Sequence, residues 1–303
     1  MKKLFALIVV LLMCGYTFAQ NSATVTQTGD NQDANVSQTG KNNISTVYQL
    51  TDNSGVNKSV VIQEGNANQA YVEQYETGGG GNTPGTDAFI KQVGNQNIGF
   101  QYMNAPGFNS GQKQTAEQYG NNNLVNQRVD NGYNVLQTSF QEGNQNIATQ
   151  TSSGAYKYMH IKTLGNSSEA HQIATDTKAN LNIEQFGGNN FAQQYFSGDF
   201  AFSTPNSGDI IQSGNNNIGV QTLVGSIGND LDIFQTGNTN YSNQYTEGDQ
   251  NFSFVSQTGN SNIGNILQTG DNNIGSITSV GNGHVGSIIQ SGGMNQAVIT
   301  QNP

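Results

Sequence analysis

Three histidines, one cysteine and twenty carboxylates are the side chains of this 303-residue chain best suited to metal binding, nucleophilic attack or proton transfer. His160, His171 and His284 share no metal-ligand spacing, and the lone Cys14 cannot build a thiolate site. Calcium-binding repeats need Asp at a fixed offset beside Gly, but here that neighbour varies among Asp30, Lys41, Asn66 and Asn215. No local motif supports a Ser-His-Asp set or an acid pair. The side chains that are regularly spaced are amides: 44 Asn and 33 Gln, 77 of 303 residues. A primary amide both donates and accepts, so identical amides stacked one above another can bond into a continuous ladder. The expectation is a structural protein with no catalytic residues, no cofactor and no metal.

The pattern Gln-x-Gly occurs at Gln27, Gln38, Gln63, Gln92, Gln118, Gln141, Gln185, Gln212, Gln235, Gln257, Gln268 and Gln290, and Gln301 continues the series eleven residues on. With each Gln as position 0, the turn glycines at +2 are Gly29, Gly40, Gly65, Gly94, Gly120, Gly143, Gly187, Gly214, Gly237, Gly259, Gly270 and Gly292. Position +5 is Asn43, Asn68, Asn97, Asn123, Asn146, Asn190, Asn217, Asn240, Asn262, Asn273 and Asn295, with Gln32 the exception. Position +7 is Ala, Gly or Ser except at Val125. Weaker arms carry Ser152, Thr163 and Ala174 at position 0, and His284 stands at +5 of a degenerate arm. Longer steps fall only before strong arms, so the unit is about 22 residues with one tight turn inside it, repeated roughly twelve times.

Eleven residues suit one short strand and one turn. Alternate side chains of a strand share a face, so +5, +7, +9 and +11 point one way. Gly at +2 supplies the permissive backbone, and Asn or Asp beside it tolerates a left-handed conformation. The expected fold is an all-β solenoid of stacked strand-turn-strand rungs, cross-β and amyloid-like. At about 4.8 Å per rung, twelve rungs make a column of about 60 Å. Two faces compete for the interior. The reading places the amide and small-residue face inside, which leaves Ile44, Ile98, Leu124, Ile147, Phe191, Ile218, Tyr241, Ile263 and Ile274 at +6 as an outer apolar stripe for lateral contact. The alternative puts the +6 residues in the core.

Composition agrees with a repeat rather than an ordinary enzyme. Apolar residues are 33% and charged residues 10%, against roughly 45–50% and about 25% in a globular domain. Lys and Arg number 10 against 20 Asp and Glu, which leaves no basic footprint for nucleic acid. At the N-terminus, Lys2 and Lys3 precede an apolar run from Leu4 to Met13, and Thr17-Phe18-Ala19 offers small residues before Gln20. Residues 1–19 therefore read as a signal peptide and 20–303 as the repeat domain, with no membrane-spanning segment after cleavage. Met13 stands where a lipoprotein box needs a small residue, so lipidation of Cys14 is disfavoured and left open.

The repeat Gln-x-Gly-x-x-Asn-x-Ala-x-x-x-Gln resembles the curlin repeat of curli, the extracellular amyloid fibres of bacteria. Residues Gln63-Glu64-Gly65-Asn66-Ala67-Asn68-Gln69-Ala70-Tyr71-Val72-Glu73-Gln74 and Gln290 through Gln301 match every fixed position. The resemblance covers about residues 21 to 303 in a long, many-repeat variant. It lacks the Gly-rich opening segment of the best-known members, although Gly78-Gly79-Gly80-Gly81-Asn82 has that composition internally. The resemblance implies a secreted, cell-surface fibre subunit for biofilm matrix, adhesion and colonisation. It also implies a curli-type secretion channel and a nucleator subunit as partners. Uncapped terminal rungs independently predict head-to-tail self-assembly. The competing function is a non-polymerising surface β-solenoid that binds sugars or a host surface through Tyr102, Phe108, Phe200 and Phe202.

Overall fold

The structure is a computed structural model that describes residues 20–51, 56–77, 85–106, 111–198, 204–225 and 227–303. Residues 1–19, expected to be a signal peptide and including Cys14, the segment Gly78 to Asn82, and Phe108, Phe200 and Phe202 lie outside the described residues. Every regular element among the described residues is a strand. In chain order these are β1 (Ser22–Thr28), β2 (Gln32–Lys41), β3 (Ile44–Thr51), β4 (Asn57–Asn66), β5 (Gln69–Thr77), β6 (Asp87–Asn95), β7 (Ile98–Pro106) and β8 (Lys113–Asn121). Two long strands follow, β9 (Leu124–Glu142) and β10 (Ile147–Leu164). Next come β11 (Glu169–Thr175), β12 (Ala179–Phe186), β13 (Phe191–Ser197), β14 (Asn206–Ser213), β15 (Ile218–Val224) and β16 (Asp230–Thr236). The last are β17 (Tyr241–Glu247), β18 (Phe252–Thr258), β19 (Ile263–Thr269), β20 (Ile274–Val280), β21 (Val285–Ser291) and β22 (Gln296–Gln301).

Consecutive strands do not pair with each other along most of the chain. Each pairs in parallel with the strand two places on, as β1 does with β3 and β2 with β4. Odd-numbered strands therefore build one column and even-numbered strands another. β9 and β10 each run through both arms of a rung, so among the described residues 22 strands give 24 arms, twelve per column. The chain is an all-β solenoid whose rungs stack in register.

Register follows the spacing. Gln38 pairs with Gln63, Gln63 with Gln92 and Gln92 with Gln118, so steps of 25, 29 and 26 residues still place position 0 over position 0. Extra residues enter where β3, β5, β7 and β13 pass to the second column, outside the paired arms.

The amide and small-residue face is the interior. β3 alternates so that Ser45, Val47, Gln49 and Thr51 are buried, and β17 buries Ser242, Gln244 and Thr246. The +6 stripe faces solvent, with Ile44 48% exposed and Ile274 43%. An aliphatic row two residues before position 0 runs down the second column through Val61, Ile90, Ile161, Ile183, Ile210, Ile233, Val255 and Ile277. Small +7 residues of the first column face it. A Cβ on Gly219 would lie 2.9 Å from Ile210 Cγ2, and one on Gly264 would lie 2.8 Å from Val255 Cγ1. The two sheets are thus close enough that side-chain volume at +7 is capped near zero in these rungs.

The turn differs from expectation in one respect. The left-handed partner of the +2 glycine is not the adjacent residue but the one at +4, where Asn42, Ala67, Gln96, Asn122, Thr239 and Met294 all have φ between 55° and 61°. The +3 residue is freed to point outward. Among the described residues no helix is long and apolar enough to cross a membrane.

Candidate functional site

In the second column Gln38 Nε2 donates to Gln63 Oε1 at 2.8 Å, Gln63 to Gln92 at 2.8 Å, Gln92 to Gln118 at 2.9 Å and Gln118 to Gln141 at 3.1 Å. Beyond Thr163 the run resumes from Gln185 through Gln212 and Gln235 to Gln257, with bonds of 2.9–3.0 Å. The two hydroxyl substitutes keep the polarity. Thr163 donates to Gln185, and Ser279 to Gln301 at 2.9 Å. In the first column Gln27, Gln49 and Gln74 form one short ladder, and Gln268 donates to Gln290. Met103, Val129, Ala174, Phe196 and Leu223 occupy the corresponding buried place between these ladders. Every one of these Gln–Gln bonds points from the N-terminal rung to the next.

The Asn residues at +5 bond to backbone rather than primarily to each other. Asn43 Oδ1 accepts the Asn68 backbone N–H at 3.0 Å, while Asn43 Nδ2 donates to the Gly65 carbonyl at 2.9 Å. The same pair of bonds recurs at Asn97, Asn217, Asn240 and Asn262. Each Asn thereby satisfies a donor and an acceptor that the tight turn leaves without strand partners. Asn295 closes the second-column series by donating to Asn273 at 2.9 Å. His284 occupies its ladder place by offering its backbone N–H to Asn262 Oδ1, and its ring Nε2 meets the Val280 carbonyl.

Two further ladders run through the stack. Gln101, Gln127, Gln150, Gln172, Gln194, Gln221 and Gln244 form an unbroken buried chain of bonds between 2.8 and 3.1 Å. Their signal is a Gln nine residues after position 0, on arms where no Gln-x-Gly marks the turn. An exposed row at +3 links Asn66, Asn95, Asn121, Asn144 and Asn166. The buried chain begins below Val72, and Gln101 Oε1 accordingly accepts no bond.

Residues 19–50 match the curlin associated repeat. Both the sequence step and the rung geometry of that segment continue through the described chain to Gln301. No curated protein is similar enough to the chain to count as a match.

Among the described carboxylates and lysines, burial is the leading cause of a titration shift at two places. Asp209 and Asp232 are register partners on the outer face of β14 and β16, with Asp230 two residues along β16. Burial pushes Asp232 up to about 7, reinforced by the charges of Asp230 and Asp209, and Asp209 is raised chiefly by burial. The folded carboxyl holds its proton to higher pH than an unfolded one, whose value is about 3.9. Stability therefore falls as pH rises between about 4 and about 7, and the penalty is complete above that window. Resistance to denaturant should drop between about pH 4 and about pH 7, and Asp232→Asn should flatten the dependence. A variant with the wild-type slope would contradict this assignment.

The second place is Lys157, 2% exposed, in the +5 corner between Val135 and Ala179. Its Nζ reaches the Ala155 carbonyl at 3.4 Å. Burial pulls it down to about 8, partly opposed by Asp176.

Proposed function

We propose that the chain is a secreted structural subunit, exported by a signal peptide at 1–19, whose repeat domain at 20–303 polymerises head to tail into extracellular curli-type amyloid fibres. The observation that carries this reading is the pair of terminal rungs. Within the described chain, β1 and β2 each pair on one side only, and so do β21 and β22. Gln27 and Gln38 donate to the next rung, and among the described residues no donor reaches their Oε1 atoms. Gln290 and Gln301 each bond back to the arm before their own, to the Ile274 and Val285 carbonyls. An amide carries two N–H donors, so each retains one for the next copy. Setting Gln290 over Gln27 and Gln301 over Gln38 also sets Ile288 over Val25 and Ile299 over Val36, which continues the core. Such an end matches the opposite end of a second molecule and does not close on itself.

The resemblance to curlins supports a role as fibre subunit in biofilm matrix and adhesion, with a curli-type channel and a nucleator as partners. The regular C-terminal rungs favour the major-subunit role. Purified mature protein should form seedable fibres with a cross-β diffraction pattern. A monomer that persists for days at micromolar concentration would sink the proposal in favour of a surface solenoid that binds ligand without polymerising.

Ladder amides should matter in proportion to their bonding. Replacing Gln290 and Asn295 with Ala removes one acceptor and one donor from the growing edge, at about 1–3 kcal/mol for each group left unpaired. Replacing Thr163 and Ser168 with Ala removes weaker bonds inside the stack. The first pair should lengthen the lag of assembly by about tenfold or more, and the second far less. Equal lags in fibre-growth assays would count against the ladder as the growth template.

A further inference from the structure

The outer face of the first column holds a cluster that no ladder uses. Tyr71, Glu73 and Tyr75 alternate along β5 and so share the solvent side. Glu73 is the register partner of Tyr48 on β3 and of Tyr102 on β7, which sets four phenols around one carboxylate. Tyr75 lies diagonally between the other two rungs. Its ring centroid is 5.5 Å from that of Tyr48 and 5.7 Å from that of Tyr102, with planes inclined at 42° and 47°. The Arg128 guanidinium sits 4.3 Å over the Tyr102 ring on the far side. The Tyr71 hydroxyl donates to Glu73, and its ring neighbour is Phe100, which has no phenol to couple. All four tyrosines are half-buried, so their edges stay open to small oxidants while their positions are fixed by strand pairing.

We propose that Tyr48–Tyr75 and Tyr75–Tyr102 are oxidative cross-linking sites, joined as dityrosine when a peroxidase-type catalyst and hydrogen peroxide meet the folded solenoid. Each phenol loses one electron and one proton. The two phenoxyl radicals join through ring carbons ortho to oxygen, and each ring then returns its displaced hydrogen to the phenol oxygen. The two electrons and two protons reduce one peroxide to two waters. Glu73 stands where it can take a phenol proton as the electron leaves, as its bond from Tyr71 illustrates; that bond pushes Tyr71 up to about 12. The link would tie β3, β5 and β7 covalently across three rungs. Coupling requires only the folded rungs, so it is independent of whether the subunit polymerises.

The test is to oxidise the folded full-length protein with peroxidase and peroxide, digest it, and map linked peptides by mass. Expected are peptides carrying Tyr48 joined to Tyr75, and Tyr75 joined to Tyr102, each short of two hydrogens. Tyr75→Phe should lose both links, while Tyr71→Phe keeps them. The Tyr133–Tyr156 pair, with centroids 5.2 Å apart, lies on other rungs, and its yield should be the same in wild type and variants. Should Tyr75→Phe lose its β-sheet spectrum, Tyr48→Phe combined with Tyr102→Phe should give the same loss with Tyr75 intact. Links scattered over the tyrosines as in the denatured chain, or links chiefly between separate solenoids, would overturn the proposal. So would undiminished dityrosine fluorescence in both the Tyr75→Phe and the double variant.

Discussion

Gly143→Ala should split the solenoid. Gly143 has φ +120°, and a Cβ there would sit 1.8 Å from the Gly165 carbonyl oxygen on the next rung. Side-chain motion offers no relief, because the obstacle is backbone that is itself hydrogen-bonded. Gly143 N–H bonds to the Tyr119 carbonyl and Gly165 N–H to the Glu142 carbonyl, so the turn cannot move without breaking the ladder on both sides. Steric conflict and a left-handed backbone act together, and the cost should exceed about 4 kcal/mol. Since each rung contacts only its neighbours, the damage should stay local and leave two shorter stacks. Hydrogen exchange should show protection lost around β9 and β10 and kept near β18 to β21. Fibre assembly should slow by more than about tenfold. Gly283→Ala is the matched control: φ is +71°, but nothing lies within 4 Å of its would-be Cβ. Similar exchange and growth in the two variants would show that the rung can relax around a methyl group, contrary to this account.

The second large effect is a gain. Lys157→Met should stabilise the fold by about 2–3 kcal/mol near neutral pH. Lys157 is buried beside Val135 and Ala179, and no carboxylate forms an ion pair with it among the described residues. Burial lowers it to about 8 from an ordinary value near 10.5. Between those two values the unfolded chain holds more protons than the folded one, so stability must rise with pH through that window. Below about 8 the full penalty applies. Met keeps the length and apolar stem of lysine without the charge, so the variant should gain at pH 7 and lose the alkaline rise. Denaturant midpoints at about pH 7 and about pH 10, compared between wild type and variant, cancel the tyrosine titrations common to both. Parallel pH profiles would mean that the ammonium reaches water in the folded state.

What could be read from the residues was the register. Gln38, Gln63, Gln92 and Gln118 stand in one line because spacing alone requires it, even where insertions lengthen the step. The buried face was legible for the same reason, since a period of two leaves only two choices, and Gly99, Gly219 and Gly264 at +7 marked the crowded one. The +9 position was legible as part of the inner face, taking an aliphatic residue or Gln, but the unbroken ladder from Gln101 to Gln244 was not, because Val72 and Ile266 hold the same position on other rungs. The left-handed residue at +4 was hidden for a different reason. Ala67, Thr239 and Met294 have no intrinsic preference for that backbone, which the stacked turn imposes. Lys157 and the Asp209–Asp232 pair became visible only when rungs were superposed, because their surroundings come from residues about 22 positions away.

A rung that bonds only to the one before and the one after has a genetic consequence. Duplicating one whole unit in the gene would add a rung with every ladder intact, and deleting one would remove it as cleanly. An insertion of partial length would survive where the chain passes from β3, β5, β7 or β13 to the second column, but not inside a paired arm. The length of such a chain is therefore free to drift by whole repeats over generations while its cross-section stays fixed.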